Sequence, residues 1–138
     1  MDISDEALRD YCHTLEGYSY DALEIEFDNE VDIYFAPSNR LNDEALIDKY
    51  LRYTSKVLRK NSDVVSKIVK SYYPKVSDMV YDLSLVVGPI LLENGQIQSR
   101  TLVAILLMIL AKRGFDKVLS DSKNSPDNTS DEGNGGAR

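Results

Sequence analysis

The stretch from Glu93 to Gly114, ENGQIQSRTLVAILLMILAKRG, constrains this chain more than any other. Between Thr101 and Ala111 it has no charge and no helix breaker, and a helix built from it is apolar on every face. Such a helix must be enclosed on all sides by protein or lie in lipid. A bilayer span takes about 20 apolar residues, and this run is far shorter, closed by Arg100 on one side and Lys112–Arg113 on the other. The expectation is a buried central helix wrapped by amphipathic ones, with no membrane span. Asn94–Gly95 before it is a turn dipeptide, and Gly114 after the two basic residues marks its C-terminus.

The remainder of the chain supplies the wrapping. Ser4 is placed to cap a first helix, with Asp5 and Glu6 in the first turn where the helix dipole favours acid. Ala7, Leu8, Tyr11, Cys12 and Leu15 follow at helical spacing, and Gly17 ends the run. Residues 18–42 are less regular. Leu23, Ile25 and Phe27, then Val31 and Ile33, alternate with acids about Asp28–Asn29, a local hairpin pattern. A lone hairpin is marginal in water, so the expected form is an extended acidic connection whose apolar residues dock on the helices. Pro37, Ser38 and Asn39 read as a turn.

Asn42 or Asp43 is placed to cap a second helix with the apolar stripe Leu46, Tyr50, Tyr53 and Val57; Lys49, Arg52, Lys56 and Lys60 face outward. Asn61–Ser62 interrupts. Val64, Val65, Ile68 and Tyr72 predict a third helix that ends by Tyr73, because a residue before proline disfavours helix. Val76, Met79, Val80, Leu83 and Val87 predict a fourth, with Pro89 tightening or kinking its last turn. The chain from Ser120 onward has no apolar residue but Ala137 and cannot build a core, so it reads as a disordered polar tail. The division is therefore a helical domain over 1–119 and a tail over 120–138.

Charge is segregated. Residues 1–48 hold 14 acidic and 2 basic residues, whereas 49–119 hold 5 acidic and 12 basic. The simplest arrangement folds the acidic part against the basic middle; the alternative is a basic surface awaiting an acidic partner. A sequence pI near 4.7 is against nucleic acid. The acidic start, with Asp2, Asp5 and Glu6, does not resemble a secretory signal. The single cysteine, Cys12, permits no internal disulfide and no cysteine-rich zinc site. With no spanning stretch either, a soluble intracellular protein is expected. His13 stands alone and next to Cys12, so on a helix the two diverge. There is no phosphate-binding glycine loop, nucleophile elbow or His–carboxylate metal spacing. The pattern is that of a binding module with no metal and no cofactor, not an enzyme.

Two separate segments resemble the Bcl-2 family of apoptosis regulators. Leu91-Leu92-Glu93-Asn94-Gly95-Gln96-Ile97-Gln98-Ser99-Arg100 resembles the first homology region. There Asp-Gly and a short connection precede Asn-Trp-Gly-Arg at the start of the central helix. Gly95 and Arg100 are kept; Asn94 replaces the acid, Ile97 and Gln98 replace Asn-Trp, and Ser99 replaces glycine. Leu8 to Leu23 resembles the fourth homology region, in which an apolar helix ends in Gly-Tyr-x-aromatic, here Gly17-Tyr18-Ser19-Tyr20. Leu51-Arg52-Tyr53 resembles the end of the groove-lining second helix. The Leu-x-x-x-x-Gly-Asp signature is missing from residues 43–60, which implies a survival-type member. The divergence and the lack of tryptophan are similar to virus-encoded homologues of poxviruses and iridoviruses.

The resemblance implies an all-α bundle of about five to seven helices that sequesters the amphipathic pro-death helix of pro-apoptotic relatives in a surface groove. It implies a cytoplasmic protein recruited to mitochondria. The implied groove contacts are Tyr53, Val57, Val87, Leu91, Val103 and Leu107, beside the Asn94–Gly95 turn. Arg100 would pair with the ligand's aspartate, a charge-assisted contact of about 1.5–3 kcal/mol; read without the family, it is a helix-start residue bonded within its own fold. A groove-less regulatory or oligomerising module and a death-promoting member are the rivals. After the central helix only Arg113 to Leu119 echoes the second homology region, and it comes too soon. Either the later helices are missing or this segment serves in their place. With about four helices to cover an all-apolar one, part of its surface would stay open, which predicts a homodimer with the central helix or its flank near the interface.

Overall fold

A computed structural model of the chain describes residues 3–35, 43–93 and 95–120. Seven helices run through them: α1 (Asp5–Glu16), α2 (Tyr20–Val31), α3 (Asp43–Lys60), α4 (Ser62–Lys70), α5 (Val76–Glu93), α6 (Arg100–Arg113) and α7 (Phe115–Ser120). No strand occurs among the described residues, and the architecture is an all-α bundle. No helix among them is long and apolar enough to cross a membrane. Pro37, Ser38, Asn39, Asn42, Asn94 and the tail from residue 121 lie outside the described residues; Ser120, read as the start of that tail, closes α7.

Helix α6 is the axis. All nine residues from Leu102 to Leu110 are buried, as a helix with no polar face requires. Ser99 caps it, its hydroxyl accepting from the Leu102 amide at 3.2 Å. At the other end Gly114 takes φ 102°, a left-handed backbone that glycine tolerates, and its amide bonds the carbonyls of Leu110 and Ala111. Lys112 and Arg113 sit in the last turn, where cations complement the dipole.

The covering helices are α1, α2, α3, α5 and α7, each packed on α6. Helix α1 starts as expected, with Ser4 accepting from the Ala7 amide at 3.1 Å, and buries Leu8, Cys12 and Leu15. Helix α2 stands at Tyr20–Val31, where an extended connection was expected. Ser19 caps it through the Ala22 amide at 3.1 Å, and Leu23, Phe27 and Val31 are buried. Those three are four apart, a spacing that fits a helical face and an alternating strand equally well. Ile25 and Ile33 decide between the two. A strand would bury them beside the others; here they point outward, 61% and 67% exposed.

This second helix also removes the deficit behind the expected homodimer. With α2 on one flank and Phe115 and Val118 of α7 buried on another, the chain covers α6 by itself. No open strip of α6 remains to serve as an interface.

Helix α3 lies on the bundle by Tyr50, Leu51, Thr54, Val57 and Leu58, a face centred one residue further round than the stripe read from sequence. Helix α4 packs on α3 and α5 and buries only Val65 completely; Tyr72, assigned to its apolar face, lies beyond its end and is 87% exposed. Pro89 falls inside α5, whose helix continues to Glu93.

Candidate functional site

Contacts from the start of the chain reach both ends of the central helix. At the start of α6, the Arg100 guanidinium donates from Nη1 to the Ile3 carbonyl at 3.0 Å and from Nη2 to the Asp5 carboxylate. At its other end, Arg113 donates from Nε to the Tyr20 hydroxyl at 2.8 Å and lies over the Tyr20 ring, 5.5 Å from its centroid. Helices α1 and α6 are thus aligned start to start and end to end. The Gly17–Tyr20 turn lies against the C-terminus of α6, and the residues before α1 against its N-terminus. Sequence reasoning left both partners, Asp5 and Tyr20, unassigned, because each contact spans more than 90 residues.

The turn before α6 is built from three elements. Gly95 holds φ 71°, a conformation that disfavours any side chain. Ile97, in place of the family's polar residue, is 1% exposed and joins the core. Gln98 accepts a hydrogen bond from the Tyr50 hydroxyl at 2.9 Å, tying the turn to α3. Burial raises the Tyr50 phenol above its ordinary value, partly opposed by the bond to Gln98. Tyr50 in turn meets Phe27 edge-on, centroids 5.5 Å apart, so α2, α3 and the turn are locked together.

The proposed lining residues occupy the layer beneath the surface. Val87, Leu91, Val103 and Leu107 have no exposed area, and Val57 is buried at 6%. They belong to one continuous core. Of the six apolar contacts, Tyr53 alone is only partly buried. Arg100 is engaged within the fold and Gly95 is exposed; Asn94 lies outside the described residues. Helix α4 packs on α3 and α5, with Ile68 and Val69 half-buried and Val64 exposed. Helix α4 is also the least anchored. Its Asn61 makes no cap bond to it and instead donates to the Val57 carbonyl of α3 at 2.8 Å.

The other reactive side chains have structural roles. Cys12 is fully buried, and burial pushes its thiol up to about 12. His13 points the other way and its Nε2 lies 3.0 Å from Asp78 Oδ1, a bond that holds the Asp78 carboxyl below the usual carboxylate range. Tyr11 donates to Glu26 Oε2 at 2.6 Å; burial and then this bond raise its phenol far above the ordinary value. Among the described residues, no group of three His, Cys, Asp or Glu side chains is placed to hold a metal ion.

The acidic start pairs with the basic middle at Asp5–Arg100, between the starts of α1 and α6. Lys49, Arg52, Lys56 and Lys60 form an exposed row along the outer face of α3. Among the described residues, no ion pair joins this row to a carboxylate; the pairs formed are Arg100–Asp5 and His13–Asp78.

No protein-family model matches the chain, and neither a curated protein nor a solved structure matches it.

Proposed function

We propose that this chain is a survival-type, Bcl-2-like regulator that binds the amphipathic pro-death helix of a pro-apoptotic partner, acting by sequestration and not by catalysis. One observation carries the reading: Arg100, in the segment that resembles the first homology region, is bonded to the start of α1, and Tyr20, in the segment that resembles the fourth, is bonded to Arg113 at the other end of the central helix. In this reading the protein acts in the cytoplasm and at the mitochondrial surface, and the partner is a host protein met by a virus-encoded one. Because Val57, Val87, Leu91, Val103 and Leu107 are buried, binding requires α4 to swing away from α3 and α5. The ligand's apolar face then takes the place of Ile68 and Val69. A helix held by one fully buried side chain costs little to move.

Titration of labelled pro-apoptotic helix peptides by fluorescence anisotropy, with hydrogen exchange on the complex, tests this. The expected result is saturable binding with altered protection at α4 and at the α5–α6 junction. Peptides that fail to bind at any concentration, with α4 protection unchanged, would overturn it.

A second reading is favoured by the same burial. If the five apolar candidates stay in the core, the chain is a groove-less regulatory or oligomerising helical module, and its working surface is the outside of the bundle. A death-promoting role has no comparable support.

A further inference from the structure

The charge on this bundle is sorted by helix in a way the ligand reading does not use. The described residues from 3 to 35 carry ten carboxylates and one arginine, whereas 49 to 75 carry eight cations and one carboxylate, Asp63. On α2, Asp21, Glu24 and Ile25 are exposed together, and Ile25 is one of the most exposed large apolar side chains. On α3, Lys49, Arg52, Lys56 and Lys60 follow at spacings of three, four and four, which places them on one outer face. Helix α4 adds the exposed Lys67, Lys70 and Val64, and Tyr72 stands free of the bundle just beyond it. Each surface therefore combines one sign of charge with protruding apolar groups, and the two are complementary.

We infer that a second copy of this chain is the occupant of the cationic surface, docking the acidic outer face of its α2 on the α3–α4 face of its neighbour. An anionic membrane fits less well, because it attracts the cations but repels the acidic α2 and the chain as a whole, whose net charge is −7. Nucleic acid fits less well because the whole chain carries a net charge of −7. The contact pairs two different patches and is heterologous, so it leaves one free face of each kind at the ends and grows past the dimer, into a ring where the rotation closes and a filament where it does not. Overall repulsion between copies is screened beyond about 10 Å at 0.1 M salt, while groups in contact still attract; at about 1 M the screening length falls to about 3 Å and the contact weakens. The inference is independent of the helix-sequestering role.

Sedimentation across a dilution series tests it, with two variants whose substitutions are all on exposed positions. Arg52→Ser/Lys56→Ser disables the basic face and Glu24→Ser/Ile25→Ser the acidic one; unchanged thermal melting verifies that both fold. Wild-type protein is expected to grow past dimer mass with concentration at about 0.1 M salt and to return to monomer near 1 M. Each variant alone stays monomeric, and their equimolar mixture stops at twice the monomer mass, because only one working face of each kind remains. A wild-type monomer at every concentration would overturn the inference. So would variants that associate like the wild type, a mixture that stays monomeric, or binding of anionic vesicles without self-association.

Discussion

Helices α6 and α4 are both rich in apolar residues, yet the fold treats them in opposite ways. Helix α6 buries nine consecutive residues beneath five neighbours, whereas α4 buries Val65 alone and leans on two. The difference lies in how the apolar residues are distributed. An all-round apolar helix can be satisfied only at the centre. A two-faced helix of nine residues, Ser62–Lys70, settles at the rim. It is also below the length at which an isolated helix is stable, about 12–15 residues, so docking alone keeps it formed. Stability is thus concentrated around α6, and α4 is expected to open at lower cost than α6.

The largest effect that would break this contrast is a charge in α6. Leu106→Asp or Ile109→Asp is expected to unfold the domain, since an unpaired buried carboxylate costs several kcal/mol, roughly the whole stability of a small domain. Loss of the cooperative transition by circular dichroism is the readout, and retained cooperative melting would show that α6 is not the axis. The same change at Val65 should act locally. Val65→Asp is expected to free α4, raising hydrogen exchange over 62–70 while α1, α5 and α6 keep their protection. Global unfolding by this variant would mean that α4 is as integral as α6.

Smaller changes sharpen the picture at the ends and along the flank of α6. Arg100→Ala removes the bond to the Ile3 carbonyl and the pair with Asp5. A loss of about 1–2 kcal/mol in denaturant unfolding is expected, most of it from the carbonyl bond, because the Asp5 side chain is 68% exposed. Asp5→Asn should therefore cost much less. If Arg100→Ala leaves stability unchanged and lowers only peptide affinity, the arginine serves the ligand in solution. The smallest effect is a gain. Gly88 lies buried inside α5, and a Cβ there would stand 4.0 Å from Val103 Cγ1, an ordinary contact. Gly88→Ala should stabilise by about 0.5–1 kcal/mol through the lower chain entropy of the unfolded state, seen as a raised melting temperature.

The sequence by itself determined the all-α class, the burial and limits of α6, the Ser4 cap of α1, and the breaks at Gly17 and Asn61. These follow from local chemistry: caps, breakers, helical period, and the impossibility of exposing an apolar run. It also placed the outward cations of α3 and the divergence of Cys12 from His13. Tertiary structure alone decided four matters. The first is α2, because residues spaced four apart satisfy both periods and only a core to dock on separates them. The second is the partner of Arg100. A guanidinium at a helix start takes whichever acceptors the fold brings near, and here these come from the opposite end of the chain. The third is the depth of Val57, Val87, Leu91, Val103 and Leu107. A sequence marks such side chains as apolar but not how deep the packing sets them. The fourth is where the charge ended up. Composition counts the acids and bases, but only the tertiary packing leaves the α3 cations facing solvent, because burial of apolar area outweighs the weak pull between exposed charges.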